Sequence, residues 1–156
     1  MSDFTHLDAR GHARMVDVTA KETTTRTATA RAEVRCSTKV VSALRDGTTP
    51  KGDVLAVARI AGIQAAKQVP VLLPLAHVIG VHGVSIDLEI TDEGVNIEGT
   101  VSAHDRTGVE MEALTAVTVA ALAVVDMVKG MDRGCEIARA VVTSKTGGRS
   151  GTWTRD

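Results

Sequence analysis

The chain has 156 residues, enough for one domain that buries its own core without covalent staples. Its 18 basic and 19 acidic residues leave a net charge of −1, and its only aromatic residues are one Phe and one Trp. That balance argues against a nucleic-acid binder, which shows a basic excess or stacking platforms for bases. The two cysteines, Cys36 and Cys135, have neither metal-ligand spacing nor a disulfide framework, so reduced thiols are expected. Residues 1–15 lack the apolar stretch of a signal peptide, and no apolar run reads as long enough to span a bilayer. The expectation is a cytoplasmic protein with no membrane partner.

Phe4 and Trp153 lie near the ends, so the core must be built from Val, Ile, Leu, Ala and Met. Such side chains permit close approach of elements, but each buries little area. Surface buried between copies would add stability, which points to a homo-oligomer.

Residues 1–14 read as a polar, mobile N-terminal segment, 15–144 as a single α+β domain, and 145–156 as a Gly-rich polar tail. Within Thr23–Cys36, residues Thr24, Arg26, Ala28, Ala30, Ala32 and Val34 share one parity, giving a loosely patterned strand. A short helix follows from Ser37 to Asp46, with Gly47 as its stop. Asp53 is a suitable N-cap for a helix over Val54–Val69 that ends at Pro70. Val71–Gly80 is an apolar connector. Val81–Ile90 and Val95–Val101 alternate as a hairpin around Thr91–Gly94. A long helix is predicted from Thr107 or Gly108 to Lys129, stopped by Gly130, and then a last strand over Glu136–Val142. This β–α–α–β–β–α–β order predicts a ferredoxin-like antiparallel sheet with helices packed on one face.

Several segments stand together in a telling order: Met15-Val16-Asp17-Val18, Lys51-Gly52-Asp53, and Ala58-Arg59-Ile60-Ala61-Gly62-Ile63-Gln64-Ala65-Ala66-Lys67. Then come Leu73-Pro74-Leu75-Ala76-His77, Asp105-Arg106-Thr107-Gly108-Val109-Glu110-Met111-Glu112, Asp126-Met127-Val128-Lys129, and Lys145-Thr146-Gly147-Gly148-Arg149-Ser150-Gly151. In this order and spacing the chain resembles the molybdenum-cofactor biosynthesis protein C family, from about Thr5 to Gly151. The resemblance implies a ferredoxin-like subunit, a hexamer built as a trimer of dimers, and sites at the dimer interface. It also implies a nucleotide-derived substrate, 3′,8-cyclo-7,8-dihydro-GTP, converted by a lyase reaction to cyclic pyranopterin monophosphate and pyrophosphate. Where that family usually reads Leu-Cys-His-Pro, this chain reads Leu75-Ala76-His77-Val78. The departure raises an alternative: a divergent, weakly active or non-catalytic nucleotide-binding paralogue of the same fold.

Releasing pyrophosphate and closing a cyclic phosphate needs cations near phosphate oxygens, and reorganising a purine-derived ring needs proton donors and acceptors. Lys51 lies in a loop before a helix N-terminus, where anions are favoured, although a solvated loop lysine looks the same. His77 is either a base-contacting group or a satisfied, partly buried histidine. Asp126 and Lys129 share a helix face, as an ordinary exposed helix end also would. The apolar run Ala120–Val125 before Asp126 predicts a partly desolvated acid. By resemblance, Asp126, Lys51 and Lys129 are catalytic, while Leu75, Ala76, His77, Met111 and Glu112 contact substrate. Glu110 and Lys145 join the substrate-binding set, and the Gly147–Gly151 run offers backbone N–H groups to phosphate. Glu112 and Asp126 stand about 21 Å apart along one helix, so the two ends serve either different sites or one extended nucleotide bound across a subunit interface, and the geometry points to an interfacial site. No metal-ligand cluster is present in the sequence and no cofactor is expected. Mg²⁺ assistance at the phosphates is compatible with the chemistry but marked by no residue.

Overall fold

A computed structural model describes residues 6–156. The first five residues of the expected N-terminal segment lie outside it. His6–Arg14 closes on itself, with Leu7 bridging Ala13 and the Asp8 carboxylate accepting the Arg10 and His12 N–H groups. Strand β1 (Thr24–Arg35) is followed by helices α1 (Thr38–Asp46), α2 (Val54–Ala66) and α3 (Val69–Leu72). Strands β2 (Val81–Ile90) and β3 (Gly94–Asp105), helix α4 (Glu110–Val128) and strands β4 (Glu136–Thr146) and β5 (Trp153–Thr154) complete the chain.

The sheet order is β2-β3-β1-β4-β5, and every pairing is antiparallel. The predicted α+β, ferredoxin-like arrangement is what the chain adopts. Helices cover one face, α4 lying across β1, β3 and β4 while α2 packs on α4 and β2. The expected parity of β1 is the buried one: Ala28, Ala30, Ala32 and Val34 face the helices. Val95, Ile97 and Val101 of β3 meet them beside Ala113, Ala116, Val117, Ala120 and Val124 of α4. The small-residue core lets α4 sit very close. A Cβ on Gly99 would stand 2.7 Å from Val117 Cγ1, so only hydrogen fits there. The opposite face of the sheet is polar, carrying the Thr29–Thr100 hydrogen bond and the Arg31–Glu98 ion pair.

Several boundaries differ from the sequence reading. The helix from Asp53 ends at Ala66, and Pro70 falls within the first turn of α3, where its missing N–H leaves no hydrogen bond unmade. Helix α4 starts at Glu110, because Thr107 and Gly108 belong to the preceding loop. Strand β3 runs four residues past Val101, because it lies between β1 and β2 and pairs with both. Strand β4 takes in Lys145 and Thr146, so Lys145 belongs to the sheet and not to a tail, and the chain returns as β5 to pair Trp153 with Lys145. Helix α4, contrary to the sequence expectation, is long and apolar enough to cross a membrane by length and composition, with mean hydropathy 1.8. Its apolarity is that of a core helix, since Ala113, Ala116, Val117, Ala120, Ala121 and Val124 are fully buried.

Candidate functional site

The ten site residues expected from sequence fall into two groups, one at each end of α4. At its C-terminal end stand Lys51, Asp126 and Lys129. The Asp53 side chain caps α2 by accepting the Ala56 N–H. Lys51 Nζ donates to the Asp126 carbonyl oxygen at 2.8 Å and to its Oδ2 at 3.3 Å. Lys129 Nζ reaches Asp126 Oδ1 at 2.6 Å. Two ammonium groups thus gather at the negative end of the α4 dipole. Their hydrogen bonds, Lys129 first and Lys51 second, hold the Asp126 carboxyl below the usual carboxylate range. The expected desolvation of Asp126 is not found within one chain. Its side chain is 54% exposed, because the apolar run before it is buried on the sheet side while position 126 faces outward.

The other end of α4 closes a cleft of two adjoining hollows. One, of about 390 Å³, is lined by Leu75, Ala76, His77, Met111 and Glu112, with His6, Val16, Val18, Lys21 and Ile79. The second, of about 530 Å³, is lined by Glu110 and Lys145 together with Lys21, Arg26, Arg106, Arg149 and Ser150. Met111, Thr107, Gly108 and Lys21 border both. All seven predicted substrate-contact positions therefore converge. His77 Nε2 donates to the Val16 carbonyl oxygen at 2.6 Å, so its ring is aimed by a backbone contact even though Val78 stands where a proline is usual. Val78 itself is 84% exposed. Glu112 is buried, and burial above all pushes its carboxyl up to about 6; a hydrogen bond from its own backbone N–H opposes the rise, Glu110 and Asp105 add to it, and His77 opposes it last.

The second hollow is strongly basic: five cations meet one carboxylate, Glu110, which Lys145 binds at 3.0 Å. Arg26 is the residue that sequence reasoning passed over. It occupies an inward-facing position of β1 among alanines and is only 9% exposed. Its Nε donates to the Asp105 carbonyl oxygen at 3.3 Å, and among the described residues no carboxylate pairs with it. A buried cation without a counter-ion favours binding an anion. The signal was available, since a charged residue sharing the parity of the core alanines calls for a reason. Lys21, Arg106 and Arg149 were also missed as site residues; they come from three separate loops and carry no periodicity. The Gly147–Gly148 turn has left-handed φ values of 98° and 73° and lies against Arg26, whose guanidinium a Cβ at Gly148 would displace. Among the described residues no three His, Cys, Asp or Glu side chains are grouped to hold a metal ion.

An antiparallel ferredoxin-like subunit with a basic cleft at one end of its long helix and a lysine–aspartate–lysine group at the other defines a class. Residues 15–148 match the model of the MoaC family, and the chain belongs to that family. It is 57% identical over 155 residues to the cyclic pyranopterin monophosphate synthase of a Nocardioides species, covering 97% of this chain and 95% of that one. It is likewise 57% identical over 152 residues to the cyclic pyranopterin monophosphate synthase of Streptomyces coelicolor, covering 97% and 89%. Its identity to cyclic pyranopterin monophosphate synthase 2 of Mycobacterium tuberculosis is 51% over 153 residues, covering 98% and 92%.

Proposed function

We infer that this chain is a cyclic pyranopterin monophosphate synthase of molybdenum-cofactor biosynthesis. It would act as a phosphorus–oxygen lyase that takes 3′,8-cyclo-7,8-dihydro-GTP to cyclic pyranopterin monophosphate and pyrophosphate. The observation that carries this reading is the 57% identity to proteins of that name over 97% of the chain. The cleft chemistry agrees with it. Lys21, Arg26, Arg106, Lys145 and Arg149 supply the charge to hold a triphosphate, and exchange of Glu110 for phosphate oxygens would free Lys145. Attack of a substrate oxygen on the α-phosphorus then closes the cyclic phosphate and expels pyrophosphate onto the same cations. His77, Met111 and buried Glu112 face the ring system. Asp126, kept ionised by two lysines, accepts protons during ring reorganisation, and Lys51 and Lys129 offset the negative charge that develops.

The two groups cannot serve one ligand within a single chain, since α4 holds them about 21 Å apart. We place the complete site between two copies, so that one copy contributes the cleft and its neighbour the Lys51–Asp126–Lys129 group. Exposed Ile60, Val71, Leu72 and Leu122 on the helices, with Val78 in the connector after α3, supply apolar surface for such association. A hexamer built as a trimer of dimers, acting in the cytoplasm, is the assembly this reading favours. Incubating the purified protein with the cyclised GTP intermediate tests the activity. One pyrophosphate per pterin product supports the reading. Tight binding of the intermediate without product would favour the non-catalytic paralogue instead, although the aimed His77 speaks for the enzyme.

A further inference from the structure

The two cysteines stand apart from both groups just described, yet the fold brings them together. The β1–β4 ladder ends on the pair Arg35–Glu136, so Cys36 and Cys135 are the next residues beyond it on the two strands, and the same register carried one step further sets them opposite each other. Residues directly opposite in an antiparallel pair have Cα atoms about 4.5–5.5 Å apart, within the range a disulfide spans. The thiols are close enough to interact with each other. Both are half-buried and unbridged. A single carboxylate organises the corner. Asp132 accepts the N–H groups of Gly134 at 2.7 Å and Ser37 at 3.2 Å, and its Oδ2 lies 3.6 Å from Cys135 Sγ. The Cys36 N–H is held by the Glu93 carbonyl oxygen at 2.9 Å. The backbone on both sides is thus pinned, and neither cysteine needs a large movement to meet the other.

We propose that Cys36 and Cys135 form an oxidisable dithiol, a modification site at which peroxide closes a reversible cross-strand disulfide between the end of β1 and the start of β4. The reaction balances with hydrogen peroxide as oxidant. One thiol loses its proton, its thiolate attacks a peroxide oxygen, the O–O bond breaks, and the hydroxide that leaves takes up that proton, giving a sulfenic acid and water. The second thiol then attacks the sulfenic sulfur, the S–S bond forms, and a second water leaves with its proton. The two sulfurs are oxidised by two electrons in total, and the peroxide is reduced by two. Burial raises both thiols, Cys135 up to about 12, so Cys36 is the sulfur that ionises first and Cys135 resolves. The scarcity of thiolate makes closure slow near neutral pH and faster in alkali. The staple would tie both strands to the Asp132 corner, three residues beyond Lys129.

The test uses the full chain treated with hydrogen peroxide, then alkylated and mapped by mass spectrometry without reduction. The expected result is a Cys36–Cys135 linked peptide pair within one chain, loss of both alkylation sites, and their return with dithiothreitol. The rate of closure should rise with pH. In the Cys36→Ser variant, Cys135 should stay alkylatable or pass to a sulfinic acid. The proposal fails if the oxidised wild-type protein keeps both thiols alkylatable. It fails equally if each cysteine over-oxidises separately, or if the only disulfides formed join different chains.

Discussion

Replacing Glu112 by Gln should make the protein more stable at neutral pH and flatten its pH dependence. Glu112 is buried at the floor of the cleft, and its carboxyl is pushed up from 4.5 to about 6. A carboxyl raised in the folded state favours folding while protonated. Its contribution is therefore fully present below about pH 4.5 and is lost as pH rises through about 6. The gap between the two values corresponds to about 2 kcal/mol at full ionisation. Solvent reaching the cleft screens part of that, so a difference of about 1 kcal/mol is expected. Glutamine keeps the shape and cannot ionise. Urea unfolding of wild type and Glu112→Gln at one fixed protomer concentration isolates the effect, because every other titrating group cancels between them. The variant should match wild type near pH 4.5 and exceed it by about 1 kcal/mol at pH 7.5. If the difference between the two proteins does not change with pH, the assigned burial and charge environment of Glu112 are wrong.

Asp126→Asn should lower kcat by about 10²–10⁴-fold with little change in substrate affinity, since the amide cannot take up a proton; single-turnover rates within threefold of wild type would reduce Asp126 to a surface acid. Lys51→Ala and Lys129→Ala should each slow turnover through lost charge stabilisation, and each should let the Asp126 carboxyl titrate nearer its ordinary range. Folded variants with wild-type kcat and KM would remove both lysines from the mechanism. Gly148→Ala places a Cβ at a left-handed φ and against the Arg26 guanidinium, so it should weaken inhibition by pyrophosphate by about tenfold, a loss of about 1.4 kcal/mol, while leaving the Asp126 end of α4 untouched. An unchanged inhibition constant would detach Arg26 from the anion subsite.

The fold was legible in the sequence wherever periodicity and stop signals agree. Ala28, Ala30, Ala32 and Val34 mark the inward face of β1, Gly47 caps α1 in the left-handed conformation, and Asp53 caps α2 as expected. What was not legible depends on partners distant in sequence. Strand β3 is longer than its apolar alternation because two neighbours complete its hydrogen bonds, and β5 exists only because β4 offers an edge. The site shows the same division. The positions carried by the resemblance converge as two groups, but the sequence could not reveal that Lys51 turns away from its own helix toward Asp126, 75 residues on. Nor could it show that Asp126 is exposed, because an apolar run describes the buried side of a helix and leaves the direction of its final residues to tertiary packing.

The central claim is that two copies of the chain complete one site from opposite ends of α4. Mixing two separately impaired variants tests it most directly. Asp126→Asn damages one half of the site, and Lys145→Glu reverses a charge in the other. In a symmetric pair that combines one of each, one of its two sites carries both lesions and the other carries neither. After subunit exchange, verified by native mass spectrometry, a one-to-one mixture should recover about a quarter of wild-type turnover, because half the pairs are mixed and each has one intact site. Recovery near that value supports the shared site. If fully exchanged mixtures show no more turnover than the average of the two variants alone, the account is contradicted.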